Sequence, residues 1–206
     1  MTALIKILCF TLPLLLCGCA TLNRSECQNA DWRMIGLEDG SKGRDMAYIG
    51  NHRKACAKYN ISPDLELYQA GHDQGIGQYC TYIKGFQLGK GGGKYQGVCP
   101  AALEKDFLLG LQRGREIHSL TQEINRAESA IRSKLNRIAD LDDEEQDKER
   151  LVISAKTSER GRRRLLEEIK QIQAEIAYLD SEIEMLERRQ AAAGSELQVL
   201  QERYRY

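Results

Sequence analysis

The C-terminal half of the chain carries apolar residues at alternating intervals of three and four, which predicts helix with one narrow buried face. A first series of such positions runs from Ile117 to Leu141. The second series is more regular, and its seam consists of Leu165, Ile169, Ile172, Ile176, Leu179, Ile183 and Leu186. With isoleucine at the a positions and mostly leucine at d, this seam is typical of a parallel two-stranded coiled coil.

The two series differ in phase, because Ile117 and Ile169 lie 52 residues apart and 52 is not a multiple of seven. We therefore expect a coiled coil over 115–206 with a phase break at about 142–164. One long helix could dimerise through its seam, or a turn inside the break could fold both series into a hairpin within one chain. No Pro or Asn-Gly marks a turn there, so we favour the dimer.

The preceding region, 27–114, follows a different pattern rich in glycine. An aromatic residue followed by two glycines four apart occurs three times, in Trp32-Gly36-Gly40, Tyr68-Gly71-Gly75 and Phe107-Gly110-Gly114. Residues four apart share one helix face, so the pattern predicts helices whose backbones approach closely. We expect an all-α fold, mainly a small disulfide-stapled, glycine-rich helical domain followed by the long coiled coil or helical hairpin.

Another glycine-rich run, Gly85–Tyr95, invites comparison with a phosphate-binding loop. Leu88 stands where that motif needs its first glycine, and Tyr95 stands where it needs Ser or Thr. We therefore expect an irregular loop.

The N-terminus indicates export and lipidation. Ile7–Leu16 is an apolar run too short to span a bilayer but of the right length for a signal peptide core. The sequence Leu16-Cys17-Gly18-Cys19 resembles a bacterial lipobox, which implies cleavage before Cys19 and lipid on Cys19, palmitate included. We expect a signal peptide over 1–18 and a lipidated linker over 19–26, and Ala20 favours the outer membrane.

Four cysteines then remain, and an even number in an oxidising compartment indicates two disulfides. Three pairings are open. If helices over Asp31–Gly43 and Arg44–Tyr59 pack antiparallel, Cys27 lies near Cys56, and Cys80 and Cys99 close a glycine-rich loop. No pair has the close spacing typical of zinc ligands, so we expect no metal.

Charge and histidines point away from several functions. The chain has 30 basic and 30 acidic residues in total and no strongly basic half, so we expect no nucleic-acid partner. No serine-nucleophile elbow and no His-Glu-x-x-His motif is present. We expect His72 and Asp73 to lie on a solvent-exposed helix face. We therefore expect that the protein is not an enzyme and that it binds no cofactor.

Several of these residues together resemble an uncharacterised proteobacterial lipoprotein family, over residues 19 to about 120. The resemblance rests on Cys27-x3-Asp31-Trp32, Gly36-x2-Asp39-Gly40, Pro63-Asp64, Tyr68-x2-Gly71-x3-Gly75, Tyr79-Cys80, Val98-Cys99-Pro100 and Phe107-x2-Gly110-x3-Gly114. It implies lipidation and the envelope compartment. It supplies no activity, because that family is catalogued only as a domain of unknown function.

The function we predict is that of a lipid-anchored protein on the periplasmic side of the outer membrane, with a structural, scaffold or adaptor role. Its coil would bind a second copy or another envelope protein. The alternative is a periplasmic binding module for a carbohydrate or peptide, with Trp32, Tyr68, Tyr79 and Tyr95 as the candidate ligand contacts.

Overall fold

A computed structural model describes residues 22–204, and all regular structure in that range is helical. The helices are α1 (Arg24–Gln28), α2 (Trp32–Ser41), α3 (Ile49–Ala57), α4 (Leu65–Tyr79), α5 (Tyr82–Lys90), α6 (Ala101–Ile153) and α7 (Glu159–Arg203), with a 3-10 turn at Met46–Tyr48. The all-α prediction is confirmed. The described chain divides after Tyr79 into two compact units. The predicted signal peptide and lipidated Cys19 lie outside the described residues.

The first unit is built on a parallel crossing of α2 and α4. Gly36 and Gly40 on α2 lie against Gly71 and Gly75 on α4, and backbone touches backbone. A Cβ atom on Gly36 would collide with the carbonyl oxygen of Tyr68, and one on Gly71 would collide with the carbonyl oxygen of Arg33. These are the close helix contacts that the glycine spacing predicts.

The second unit contains the same kind of crossing, between α5 and α6. Gly85 and Gly89 on α5 meet Gly110 and Gly114 on α6, again at distances that leave no room for a Cβ atom. The prediction of an irregular loop over Gly85–Tyr95 is therefore wrong for its first part. The spacing of Tyr82, Gly85 and Gly89 is a fourth copy of the aromatic–glycine pattern.

Both predicted disulfides are confirmed. Cys27 pairs with Cys56 and Cys80 pairs with Cys99, with Cα–Cα separations of 5.7 and 5.6 Å. In each unit the bridge links the segment that precedes one crossing helix to the segment that precedes the other. Cys27 and Cys56 precede α2 and α4, and Cys80 and Cys99 precede α5 and α6. Closing loops of 29 and 19 residues contributes roughly 3 kcal/mol each in the chain-entropy model.

The two units repeat one plan. A glycine with positive φ follows the first crossing helix of each unit. Gly43 follows α2 with φ +72°, and Gly92 follows α5 with φ +73°. Gly43 packs against the ring of Tyr79, and Gly92 packs against the ring of His118. Each ring lies four residues after the second glycine of the other crossing helix. Side chains at Gly43 and Gly92 would be strained as well as obstructed.

Beyond its crossing, α6 pairs antiparallel with α7 in a helical hairpin. Ion pairs Lys134–Glu182 (2.6 Å) and Lys148–Glu168 (2.7 Å) fix the register. The most buried seam residues are Ile117, Ala127, Leu141, Ile169, Ile172, Ile183 and Ala193. The predicted boundary near residue 114 falls inside α6, which is continuous there.

The preference for one long dimeric helix is wrong, because the chain turns at 154–158, inside the predicted break. Small hydroxyl residues make this turn. The Thr157 hydroxyl donates to the Leu151 carbonyl (2.6 Å), and the Ser158 side chain accepts from the Gly161 backbone N–H (3.2 Å), capping α7. Such side chains compete with helix for backbone groups. Within the described residues, no helix is both long and apolar enough to cross a membrane.

Gly71→Ala tests the crossing, with Gly77→Ala as its control. Gly77 lies on the exposed side of the same helix, and a Cβ there meets no atom within 4 Å. We expect Gly71→Ala to lower the free energy of unfolding by about 1–3 kcal/mol, and Gly77→Ala to raise it by up to about 1 kcal/mol. Urea unfolding followed by fluorescence of Trp32, the sole tryptophan, measures both. Equal effects of the two substitutions would contradict the backbone contact.

Candidate functional site

A cluster of polar side chains is buried at the crossing in the first unit. Its centre is Asp39 on α2, which is 2% exposed. One carboxylate oxygen accepts from Arg44 Nη1 (2.6 Å), and the other accepts from the Tyr68 hydroxyl (2.8 Å) and lies 2.6 Å from His52 Nε2. Three partners thus converge on one carboxylate.

Each partner comes from a different segment. Tyr68 projects from α4, three residues before Gly71, and His52 projects from α3. Arg44 follows the end of α2, where its backbone N–H donates to the Asp39 carbonyl (3.0 Å), and its guanidinium lies 4.0 Å from the centroid of the Tyr48 ring. The carboxylate therefore ties α3 and the 3-10 turn to the α2–α4 crossing.

Two histidines are buried beside the carboxylate. His52 lies among the rings of Trp32, Tyr48 and Tyr68, with centroid separations of 6.4, 5.4 and 6.0 Å. Its Nδ1 is buried and has no hydrogen-bond partner among the described residues. His72 donates from Nε2 to the Arg44 carbonyl (2.8 Å). The prediction of a solvated face is therefore wrong for His72, although its neighbour Asp73 is exposed.

Burial and hydrogen bonding act in opposite directions on Asp39. Burial alone would raise the pKa of this carboxyl, but the hydrogen bonds from His52, Tyr68 and Arg44 outweigh it and hold the pKa below its ordinary value. Burial raises the pKa of Tyr68, and the adjacent carboxylate raises it further. At neutral pH the cluster therefore holds an ionised Asp39 and a Tyr68 that donates its proton in a hydrogen bond.

The second unit builds its crossing without such a cluster. When the two units are aligned on their paired glycines, apolar residues occupy the positions of the polar cluster. Leu88 corresponds to Asp39, Phe107 corresponds to Tyr68, and Leu111 corresponds to His72. The crossing itself therefore does not require the charge. What the first unit has in addition is α3 and the turn before it, and the Asp39 cluster docks them.

The four predicted ligand contacts divide between the two units. Trp32 and Tyr68 lie together in the core of the first unit with Cys27, Ile49 and Cys56. Tyr79 is half-buried beside Gly43.

Tyr95 belongs to the second unit, where its hydroxyl accepts from the Cys99 N–H and donates to Glu104, both at 2.9 Å. Trp32, Tyr68 and Tyr95 therefore contribute contacts within their own units.

The polar cluster was not predicted from sequence because its members lie on separate segments, with Tyr68 29 residues after Asp39 and His72 28 residues after Arg44. A signal for it did exist. Aligning the α2 copy with the α5 copy sets Asp39 against Leu88, and aligning the α4 copy with the α6 copy sets His72 against Leu111. Within the described residues, no group of three or more His, Cys, Asp or Glu side chains could hold a metal ion.

A second candidate lies at the turn of the hairpin. Leu151 and Ile153 are 52% and 83% exposed. Ile153 borders an open groove of about 670 Å³ whose apolar walls also include Val152, Leu166 and Ile169. Basic side chains follow immediately in the first turns of α7.

The fold defines an all-α protein with two glycine-packed, disulfide-linked helix crossings and a helical hairpin. Residues 31–116 match the family described as Protein of unknown function (DUF2799), so the chain contains a domain of that family. The match runs from α2 to the part of α6 just beyond its crossing. No curated protein and no solved structure matches the chain. The prediction of a domain of unknown function is confirmed, whereas lipidation stays a prediction.

A double-mutant cycle tests the Asp39–Tyr68 contact. Tyr68→Phe should cost about 2 kcal/mol of unfolding free energy in the natural chain, because an ionised acceptor loses a donor. In an Asp39→Leu background the same change should cost almost nothing, so the two effects are coupled. Tyr59→Phe, at a half-buried ring that packs on the same core but is not a hydrogen-bond partner of Asp39, should be additive with Asp39→Leu. Additivity at Tyr68 as well would refute the contact.

Acid titration tests the ionised state of Asp39. Because its pKa in the folded chain lies below the ordinary 3.8, the charge contributes stability that is present above that value and lost as the pH falls through the lower one. The stability difference between the natural chain and Asp39→Asn should therefore shrink as the pH falls below 3.8.

The control for this titration is Asp45→Asn, because Asp45 is exposed and makes no capping hydrogen bond. That substitution removes an exposed carboxylate from the same unit and should leave the Asp39 cluster intact. A constant difference for Asp39→Asn across the acid range would show that Asp39 is not the titrating group. Trp32 fluorescence during urea unfolding measures each point.

Proposed function

We propose that this protein is a lipid-anchored lipoprotein on the periplasmic face of the outer membrane, where its helical hairpin acts as a structural scaffold or adaptor and no reaction is catalysed. The lipobox-like Leu16–Cys19 supports the anchor. The two disulfides support an oxidising compartment, since such bridges persist outside the cytosol.

The hairpin is the observation that carries the adaptor role. Its second arm, α7, has 45 residues and is therefore roughly 70 Å long. The apolar seam is buried between the two arms, and the outward faces are mostly charged. A long, preformed arm of this kind suits contact with a partner at a distance better than enclosure of a small ligand.

The closed seam also changes which surface a partner would use. Ile169, Ile172 and Ile183 already pack against α6, so a second copy could reach them only if the hairpin opened. Tyr178 and Met185, by contrast, are exposed on α7. We propose that another envelope component contacts this outward side. The alternative of a ligand-binding module has weaker support, because Trp32 and Tyr68 are buried.

In-cell photo-crosslinking tests the adaptor role. A photoreactive residue at Tyr178 or Met185 should give discrete adducts with an envelope protein, identified by mass spectrometry. The same residue at Met34, which is 56% exposed on α2, is the matched control and should give none of these adducts. Adducts at Met34 alone would contradict a role for the hairpin.

The same strains check the anchor. Palmitate should label the natural chain and not Cys19→Ala, and the Tyr178 adducts should decrease when the anchor is lost. Equal labelling of both chains would refute lipidation at Cys19.

A further inference from the structure

We propose that the tip of the hairpin, residues 150–166, docks on the surface of an anionic phospholipid bilayer. This inference deepens the proposed function, since it names what the end of the hairpin contacts. Two independent features of the tip support it, its exposed apolar side chains and its concentrated positive charge.

The apolar feature consists of side chains that the fold leaves uncovered. Ile153 ends α6 with 83% of its surface exposed, and Leu151 and Leu166 are 52% and 48% exposed. The neighbouring groove of about 670 Å³ continues this surface towards Ile169. Grouped apolar side chains at the end of an otherwise charged element mark a contact surface, because their hydration is unfavourable.

The charged feature surrounds the same residues. The segment 150–164 contains six basic residues and one acidic residue, a net charge of +5. The basic residues are Arg150, Lys156, Arg160, Arg162, Arg163 and Arg164, and the acidic one is Glu159.

Some of these charges have partners within the hairpin. Arg163 pairs with Glu159 (3.1 Å), Arg164 with Glu168 (2.9 Å) and Arg150 with Asp147, while Arg162 donates to the Ser154 carbonyl (3.3 Å). The side chains of Arg163 and Arg164 are nevertheless 74% and 83% exposed. Surface pairs of this kind are weak, so these cations stay accessible to phosphate groups.

The acidic residues of α6 do not cancel the charge of the tip. The nearest, Asp147 and Glu149, lie six and four residues before Ile153, and the segment 147–164 that includes them still has seven basic and three acidic residues, a net charge of +4. Asp142–Glu145 lie eight to eleven residues before Ile153, a distance of roughly 12–17 Å along the helix. The Debye length is about 8 Å at physiological ionic strength. A bilayer in contact with Ile153 therefore experiences mainly the basic turn.

A bilayer accounts for both features at once. Apolar side chains enter the boundary between headgroups and acyl chains, while lysine and arginine contact the phosphates. Peptidoglycan offers anionic groups but no apolar phase for Ile153. A protein partner would need an apolar pocket within an acidic rim, and the experiment separates these cases.

The test uses the mature chain with Cys19→Ser, so that no lipid anchor contributes. We expect it to cosediment with vesicles of phosphatidylglycerol and phosphatidylethanolamine, less so as salt is raised, and not with pure phosphatidylcholine. Replacing Lys156, Arg160 and Arg163 with Gln should weaken binding roughly a hundredfold. Leu151→Ser with Ile153→Ser should weaken it roughly tenfold.

Matched variants on the arms are the controls. Leu135→Ser with Val199→Ser removes side chains of similar exposure, 51% each, and Gln at Arg115, Arg132 and Arg188 removes three cations. Both should bind as the natural chain does, and Trp32 fluorescence and circular dichroism verify that all variants are folded.

Equal binding by the tip variants, equal binding to phosphatidylcholine, or binding to isolated peptidoglycan alone would overturn this inference. It would also be overturned if vesicles failed to bind while photoreactive residues at the tip captured a protein. The adaptor role has its own readout, the adducts from Tyr178 and Met185, so either proposal can fail without the other.

Discussion

The structure depends on direct backbone contact between parallel helices. Each crossing places four glycines within helices, at a cost of about 1 kcal/mol each relative to alanine. Dispersion between the closely apposed backbones offsets that cost. Because parallel helices need a long connection, the Cys27–Cys56 and Cys80–Cys99 bridges also matter, since each restricts the unfolded chain near the start of both crossing helices.

The two units show what one framework tolerates in its interior. The second places Leu88 and Phe107 where the first places Asp39 and Tyr68, so charge is an option rather than a requirement of the crossing. A buried carboxylate is tolerable only when donors surround it, and here they come from α3, α4 and the intervening turn. The cluster therefore makes the docking of α3 conditional on a complete set of partners, His52 included.

Much of the fold could be predicted from local signals. The even cysteine count predicted two bridges, and an assumed antiparallel packing of two helices favoured the observed pairing among three. Aromatic–glycine spacing identified three of the four crossing helices. The fourth, α5, was missed because the glycine run after Gly89 resembles a loop and obscured the regular spacing before it. Asp39 was missed because its burial depends on His52 and Tyr68, which are distant in sequence. A turn inside the break was considered but not favoured, because the turn at 154–158 uses capping hydroxyls rather than Pro or Asn-Gly.

The same turn explains why the seam closes within one chain. A connection of five residues adds little loop-closure entropy and favours antiparallel neighbours, whereas a dimer must also lose translational and rotational freedom. Charge reinforces the choice, because Lys134–Glu182 and Lys148–Glu168 join the two series in antiparallel register. The heptad seam thus specifies a rigid arm rather than an open dimer interface, and the tip and outward faces remain as the surfaces through which the hairpin can meet another molecule.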